Sequence, residues 1–158
     1  MIPPIGSCTD ESHITGKTIL LVDDSENDLT LMRMAFREAG FKNPVQEVHD
    51  GEEAIAYLKG EGLYSDRERF PLPALILLDL NMPRKSGFEV LEWLQNEQVL
   101  RRILVVVLTA SIRMNDVERA FDLGVKSYLV KPGKVQDLIA MIRILRDWLL
   151  LNRFPPLK

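Results

Sequence analysis

The chain has 158 residues, 46% hydrophobic and 27% charged, the proportions of one ordinary globular domain. Twenty basic residues against 23 acidic ones leave a net charge of −3, so the basic footprint of a nucleic-acid binder or of a membrane-surface protein is missing. Cys8 is the one cysteine, which excludes an internal disulfide and any zinc-type cluster and fits a reducing cytosol.

Residues 1–16 hold two prolines and small polar residues with no basic start, which excludes a signal peptide and predicts a disordered tail. Residues 18–23 (TILLVD) form a short β-branched run that ends on acids, a strand. Residues 26–39 carry Leu29, Met32, Met34, Ala35 and Phe36 at helical spacing and stop at Gly40. Residues 45–49 read as a weaker strand, and residues 51–59 as a short helix with Ala54, Ile55 and Leu58 on one side. The stretch 60–73 (GEGLYSDRERFPLP) reads as an extended loop. Residues 74–79 (ALILLD) are continuously apolar, the mark of a strand covered on both faces. Residues 86–96 form a helix with Ser86 as N-cap, and residues 103–109 (ILVVVLT) another buried strand. A helix over 115–123 ends at Gly124; a last strand covers 126–130, a last helix 135–151, and residues 152–158 trail behind it. None of the apolar runs approaches the roughly 20 residues that span a bilayer.

Five strands alternating with five helices predict an α/β fold with a parallel sheet and right-handed crossovers. The chain is too short for a (β/α)₈ barrel and lacks both G-x-G-x-x-G and G-x-x-x-x-G-K-[ST]. The expected fold is therefore a doubly wound, flavodoxin-like sheet of order 2-1-3-4-5 with helices on both faces, whose functional crevice lies beyond the carboxyl ends of strands 1 and 3. Asp23 and Asp24 end strand 1, Asp79 ends strand 3, Thr109 ends strand 4 and Lys131 follows strand 5. Three converging carboxylates demand a cation, and an all-oxygen donor set suits Mg²⁺. Acid pair, acid, hydroxyl and ammonium are each useful to a phosphoryl group.

The strings LVDDSEND, LILLDLNMPRKSG, VVVLTAS and YLVKP, in this order and spacing, resemble the receiver domain of two-component response regulators (CheY-like) over residues 17 to about 148. The resemblance implies that Asp79 is the phosphoacceptor and that Mg²⁺ is held by Asp24, Asp79 and the backbone carbonyl of Asn81, with Asp23 acting through a water. It implies that Thr109 and Lys131 contact the phosphoryl group, that the Lys131–Pro132 bond is cis, and that Tyr128 is the switch aromatic. Gly133 departs from the aromatic residue that many members place after the Lys-Pro pair. The family is not a classical enzyme class: its members catalyse only their own phosphorylation and dephosphorylation. The 60–73 segment and the ending DWLLLNRFPP further resemble stand-alone regulators that partner bacterial phytochromes, the cyanobacterial kind especially. A sensor histidine kinase is then the expected partner, in the cytoplasm, with residues 17–151 as the receiver domain. No output domain is expected after it, so output would run through an unknown downstream protein or a phosphorelay.

Other classes stand beside this reading. A haloacid-dehalogenase-like phosphatase also uses Asp and Mg²⁺, but wants a second acid where strand 3 offers Asp-Leu-Asn. An FMN carrier wants a phosphate loop where this chain has acids. A binding-only pseudo-receiver would not need Asp79, Thr109 and Lys131 intact. Finally, the last helix has one apolar stripe through Val135, Leu138, Ile139, Ile142, Leu145 and Leu149, and a second through Met141, Ile144, Trp148 and Leu151. The second stripe predicts a homodimer, unless Phe154 and the Pro155-Pro156 tail fold back over it.

Overall fold

A computed structural model describes residues 14–157. Residues 1–13, most of the expected N-terminal tail, lie outside them. The strands β1 (Ile19–Val22), β2 (Val45–Val48), β3 (Leu75–Leu78), β4 (Leu104–Thr109) and β5 (Ser127–Val130) alternate with helices α1 (Glu26–Glu38), α2 (Gly51–Lys59), α3 (Gly87–Gln95), α4 (Met114–Asp122) and α5 (Val135–Leu151). All the sheet pairings are parallel and the order is β2-β1-β3-β4-β5. The expected fold class is thus the observed one, with element ends shifted by a residue or so.

Alternation along the strands builds two cores. Leu20, Val22, Ile76, Leu78, Val105 and Val107 face α2, α3 and α4, where Leu58, Leu91 and Ala120 are buried against them. Ile19, Leu21, Leu75, Leu77, Val106 and Leu108 face α1 and α5, meeting Leu29, Phe36, Ile142 and Leu149. β1, β3 and β4 are buried at every position, which is why they read as unbroken apolar runs rather than alternating ones.

Local chemistry sets the helix starts. Ser25 accepts from the Asp28 amide (3.2 Å) and Asp50 from the Glu53 amide (2.8 Å). At α3, Ser86 and Glu89 form a reciprocal capping box. Each satisfies amides that the first helical turn leaves without partners. Ile14, inside the stretch expected to be a tail, is buried among the α1/α5 core, and Asn43 donates to its carbonyl at 2.8 Å.

The 60–73 segment is more ordered than a plain loop. Gly60 closes α2 in the left-handed conformation (φ 73°), a short 3₁₀ turn follows at Gly62–Ser65, and the Arg67 guanidinium donates to the carbonyls of Tyr57, Leu58 and Phe70. The positive charge sits at the carboxyl end of α2, where the helix dipole favours it. Tyr57, Tyr64 and Phe70 pack as a ring cluster with centroids 5.0–6.0 Å apart, and the Tyr57 hydroxyl donates to the Pro71 carbonyl at 2.8 Å. Burial pushes that phenol up to about 12. A phenol that holds its proton more tightly folded than unfolded contributes stability fully below its ordinary value of 10 and loses it as pH rises toward 12. Tyr57→Phe should therefore cost about 1 kcal/mol at neutral pH through the lost hydrogen bond, and denaturant melts between pH 9 and 12 should show a shallower alkaline decline than wild type.

Candidate functional site

Register brings the site together. Val22 of β1 pairs with Leu78 of β3, so Asp23 and Asp79 are the next residues out of two adjacent parallel strands. The backbone continues the pattern one step further: Asp79 N–H donates to the Val22 carbonyl (3.0 Å) and Asp23 N–H to the Val48 carbonyl (3.2 Å). Thr109 closes β4 opposite Val130, and the Lys131 amide donates to the Thr109 carbonyl at 2.8 Å. Four neighbouring strands thus deliver their last side chains to one edge of the sheet.

The side chains form one network. Asp79 is buried; its Oδ1 accepts from the Thr109 hydroxyl (2.8 Å) and the Asn81 amide (3.3 Å), and its Oδ2 from Lys131 Nζ (3.2 Å). Thr109 is fully buried. Lys131 Nζ also donates to Asp23 Oδ2 (2.7 Å) and Asp28 Oδ2 (2.8 Å). Asp23 accepts from the Ser25 amide through its other oxygen (2.9 Å). Burial pushes the Asp23 carboxyl above its usual 3.8, and the bonds from Lys131 and Ser25 offset that only in part. Burial would lower the Lys131 ammonium, but the bonds to Asp23 and Asp28 and the charge of Asp79 outweigh it and hold the ammonium above its ordinary 10.5. It is a cation at any pH the cell reaches.

Asp24 is exposed at the mouth. Asp23, Asp24 and Asp79 each offer an oxygen, and these oxygens lie within 4.8 Å of one another. An all-oxygen set of this size, with one member open to water, fits a hard divalent cation that keeps part of its hydration shell.

Two loops hold the edge in shape. In the loop from β3 to α3, Arg84 adopts a left-handed conformation (φ 63°) and pairs with the Asp50 carboxylate at 3.4 Å, while the Gly51 amide donates to the Lys85 carbonyl at 3.0 Å. This ties the loop that carries Asn81 to the start of α2. In the loop from β4 to α4, Ser111 donates to Asp116 at 2.6 Å, which holds that carboxyl below its usual 3.8, and the Tyr128 hydroxyl donates to the Ser111 carbonyl at 2.9 Å.

The structure gathers Asp23, Asp24, Asp79, Thr109 and Lys131 at one edge, with Asn81 on the loop after β3 and Tyr128 within β5, its hydroxyl bonded to the loop after β4. It differs at the Lys131–Pro132 bond, which is trans: there is no cis peptide among the described residues. Trans is the lower-energy form of such a bond by about 0.5–1 kcal/mol, and Lys131 reaches all its carboxylates from it. The reading from sequence also missed Asp28. Three residues after the N-cap Ser25, an acid looks like the second half of a capping box. Here the Ser25 amide is already taken by Asp23, so the Asp28 carboxylate turns to Lys131.

Residues 19–143 match the response regulator receiver domain. The chain belongs to that family. It is 40% identical to the response regulator Rcp1 of Synechocystis over 135 residues, 85% of this chain and 89% of Rcp1. Among solved structures, it resembles the phosphorylated cyanobacterial phytochrome response regulator RcpA (37% identity, 89% of this chain and 99% of that one, TM-score 0.82) and the Mn²⁺-bound form of Rcp1 (38% identity, 88% and 99%, TM-score 0.78). Membership of the receiver family leaves the phosphatase and flavin-carrier alternatives without support. No helix among the described residues is long and apolar enough to cross a membrane.

Gly87, the first residue of α3, has no room for a side chain. A Cβ there would lie 2.4 Å from the Asp79 carbonyl oxygen and 2.8 Å from the Leu80 Cα. Backbone cannot yield as a flexible side chain can, so Gly87→Ala should cost about 1–3 kcal/mol in a thermal melt and weaken divalent-cation binding measured by titration calorimetry.

Proposed function

We propose that this chain is a stand-alone response regulator that accepts a phosphoryl group on Asp79 in a Mg²⁺-dependent reaction. Its donor would be the phosphohistidine of a sensor kinase, phytochrome-like in kind, in the cytoplasm. Residues 17–151 would be its receiver domain. The observation that carries the reading is the setting of Asp79: a buried carboxylate bracketed by the Thr109 hydroxyl and the Lys131 ammonium, beside a carboxylate pair able to hold a cation. The kinship with RcpA and Rcp1 supports the class of kinase. The intact Asp79, Thr109 and Lys131 speak against a binding-only pseudo-receiver.

In the reaction, a lone pair of an Asp79 carboxylate oxygen forms the new O–P bond. The P–N bond to the donor histidine, or the P–O bond to acetate when acetyl phosphate is the donor, breaks, and its electron pair leaves with histidine or acetate. Mg²⁺, held by Asp23, Asp24, Asp79 and the Asn81 carbonyl, would supply charge neutralisation at the phosphoryl oxygens. The transition state is loose, so positioning and electrostatics supply the acceleration. Lys131 holds one phosphoryl oxygen and Thr109 turns its hydroxyl from Asp79 Oδ1 to another. The product brings about −2 of charge into a site already rich in carboxylates. That charge pulls Thr109 and the loop after β4 toward Asp79, and Tyr128, bonded to the same loop at Ser111, follows it. Water hydrolyses the acyl phosphate and resets the state. The signal then passes to a downstream protein or along a relay, with no nucleic acid and no membrane involved.

The outer face of α5 favours a second component of the reading, homodimerisation. Ile144, Trp148 and Leu151 are 71%, 38% and 80% exposed, and Met141 and Trp148 line a groove beside Leu129 of β5. The alternative cover is present only in part: Phe154 packs 6.3 Å from the Trp148 ring, and Arg102 holds the Pro156 carbonyl at 3.3 Å, yet the stripe stays in water. Met and Trp are favoured at the centres of protein interfaces.

Asp79→Asn should abolish labelling by acetyl phosphate, and Asp24→Ala should raise the Mg²⁺ needed for it at least tenfold; stoichiometric labelling of Asp79→Asn would refute the assignment. In sedimentation runs at tens of micromolar, wild type should be dimeric and the Ile144→Glu/Trp148→Glu pair monomeric, folded and still labelled. A wild type that stays monomeric with and without a phosphoryl mimic would refute the dimer.

A further inference from the structure

We infer that Asp28 is a positioning residue for Lys131: it fixes the ammonium from the α1 side so that the group stands ready for the phosphoryl oxygen before any phosphoryl arrives. The inference rests on the phosphoacceptor reading above and adds to it a residue outside the acid pair, the phosphoacceptor, the hydroxyl and the lysine.

An ammonium has three N–H donors. Lys131 spends them on Asp23 (2.7 Å), Asp28 (2.8 Å) and Asp79 (3.2 Å). The two short bonds go to carboxylates that are not phosphorylated, and the long one to the carboxylate that is. When the phosphoryl group forms on Asp79, its oxygen can take over the third donor without disturbing the first two. Without Asp28 the ammonium would keep the bond to Asp23 and the longer one to Asp79, and of these only the first stays in place when the phosphoryl oxygen takes over the third donor. A second acceptor that stays, on another element, removes the freedom of a single contact, and the Lys131 side chain, only 17% exposed, has little water to replace it.

The position of Asp28 is itself built. It sits in the first turn of α1, where a carboxylate is stabilised by the helix dipole. Its own amide donates to Ser25 Oγ, which sets the turn. Its side chain would ordinarily bond back to the Ser25 amide, but Asp23 Oδ1 occupies that donor at 2.9 Å. Asp23 therefore does two things: it binds Lys131 with one oxygen, and with the other it frees Asp28 to bind Lys131 as well. Asp28 also adds a negative charge, which opposes the incoming phosphoryl. Its side chain is 36% exposed, so water screens that repulsion at the distance of the phosphorus more than it weakens a direct 2.8 Å bond. Positioning should dominate.

The experiment uses the full chain with Asp28→Ala and Asp28→Asn. The first reading is independent of phosphorylation: solvent exchange of the ¹⁵N-labelled Lys131 ammonium, measured by NMR in metal-free protein. Wild type should show a slowly exchanging ammonium, Asp28→Ala at least tenfold faster exchange, and Asp28→Asn, which keeps an acceptor oxygen, intermediate exchange. The second reading is labelling by acetyl phosphate at saturating Mg²⁺. Asp28→Ala should lower the maximal rate about tenfold and change the half-saturating acetyl phosphate less than twofold, and Asp28→Asn should recover more than half of the lost rate. Thermal melts of the three proteins serve as the fold control. Wild-type ammonium exchange or a wild-type maximal rate in Asp28→Ala would overturn the inference. A wild type that takes no label would overturn the phosphoacceptor reading instead, and the ammonium signal would still decide on the Asp28–Lys131 bond.

Discussion

The Lys131 ammonium is the charge on which the functional edge depends. Asp23, Asp28 and Asp79 all lie on it at 2.7–3.2 Å, with Asp24 beside them at the mouth. Buried carboxylates at such spacing repel, and each would otherwise take up a proton or turn to water. One half-buried cation bonded to three carboxylates holds the cluster together while leaving it short of positive charge. That deficit suits the place to a divalent cation, and in the proposed reaction such a cation would in turn make a phosphoryl group acceptable there. The raised value of Asp23 and the raised value of Lys131 belong to the same arrangement: a carboxylate that burial makes reluctant to ionise is kept near a lysine that cannot let go of its proton.

The sheet makes this possible by being parallel. Parallel pairing sends every strand to finish at the same end, and the order β2-β1-β3-β4-β5 sets the ends of β1, β3, β4 and β5 side by side. β1, β3 and β4 are buried at every position, so the position of each terminal side chain follows from packing far from the site. Loops hold what strands cannot. Arg84 accepts a left-handed backbone, which costs about 1–2 kcal/mol for a residue with a Cβ, and its bond to Asp50 helps pin the loop that carries Asn81.

Much of this was legible in the sequence, for identifiable reasons. Strands buried on both faces leave unbroken apolar runs, and helices that cover them leave a 3.6-residue period. The acids, hydroxyl and lysine stand out because each follows such a run immediately. What escaped notice depended on contacts between residues distant in the chain or on competition for one donor. Asp28 looked like an ordinary helix-start acid because nothing in the sequence says that the Ser25 amide is already taken. Arg67 looked like one charge in a polar loop, since the three carbonyls it binds are exposed only by the way α2 ends and the chain turns back. The bond before Pro132 was expected cis by kinship alone, and the geometry around Lys131 is satisfied in trans.

The two faces of α5 meet different demands. Its inner stripe is fixed by the sheet: Leu138, Ile142, Leu145 and Leu149 are buried against β1, β3 and β4. On its outer stripe Met141 is half-buried against the core, Phe154 reaches one edge of Trp148, and Ile144 and Leu151 stay exposed. These contacts leave large apolar side chains in water at a net cost, since each buried methylene is worth about 0.8 kcal/mol. The same face borders β5, whose Tyr128 is tied to the loop that Thr109 leads into. A rearrangement at Asp79 would therefore have a short route, through Thr109, Ser111 and Tyr128, to the edge of the surface that carries this apolar stripe. In the proposed reading, β5 would be the link between chemistry at the carboxyl end of the sheet and association along α5.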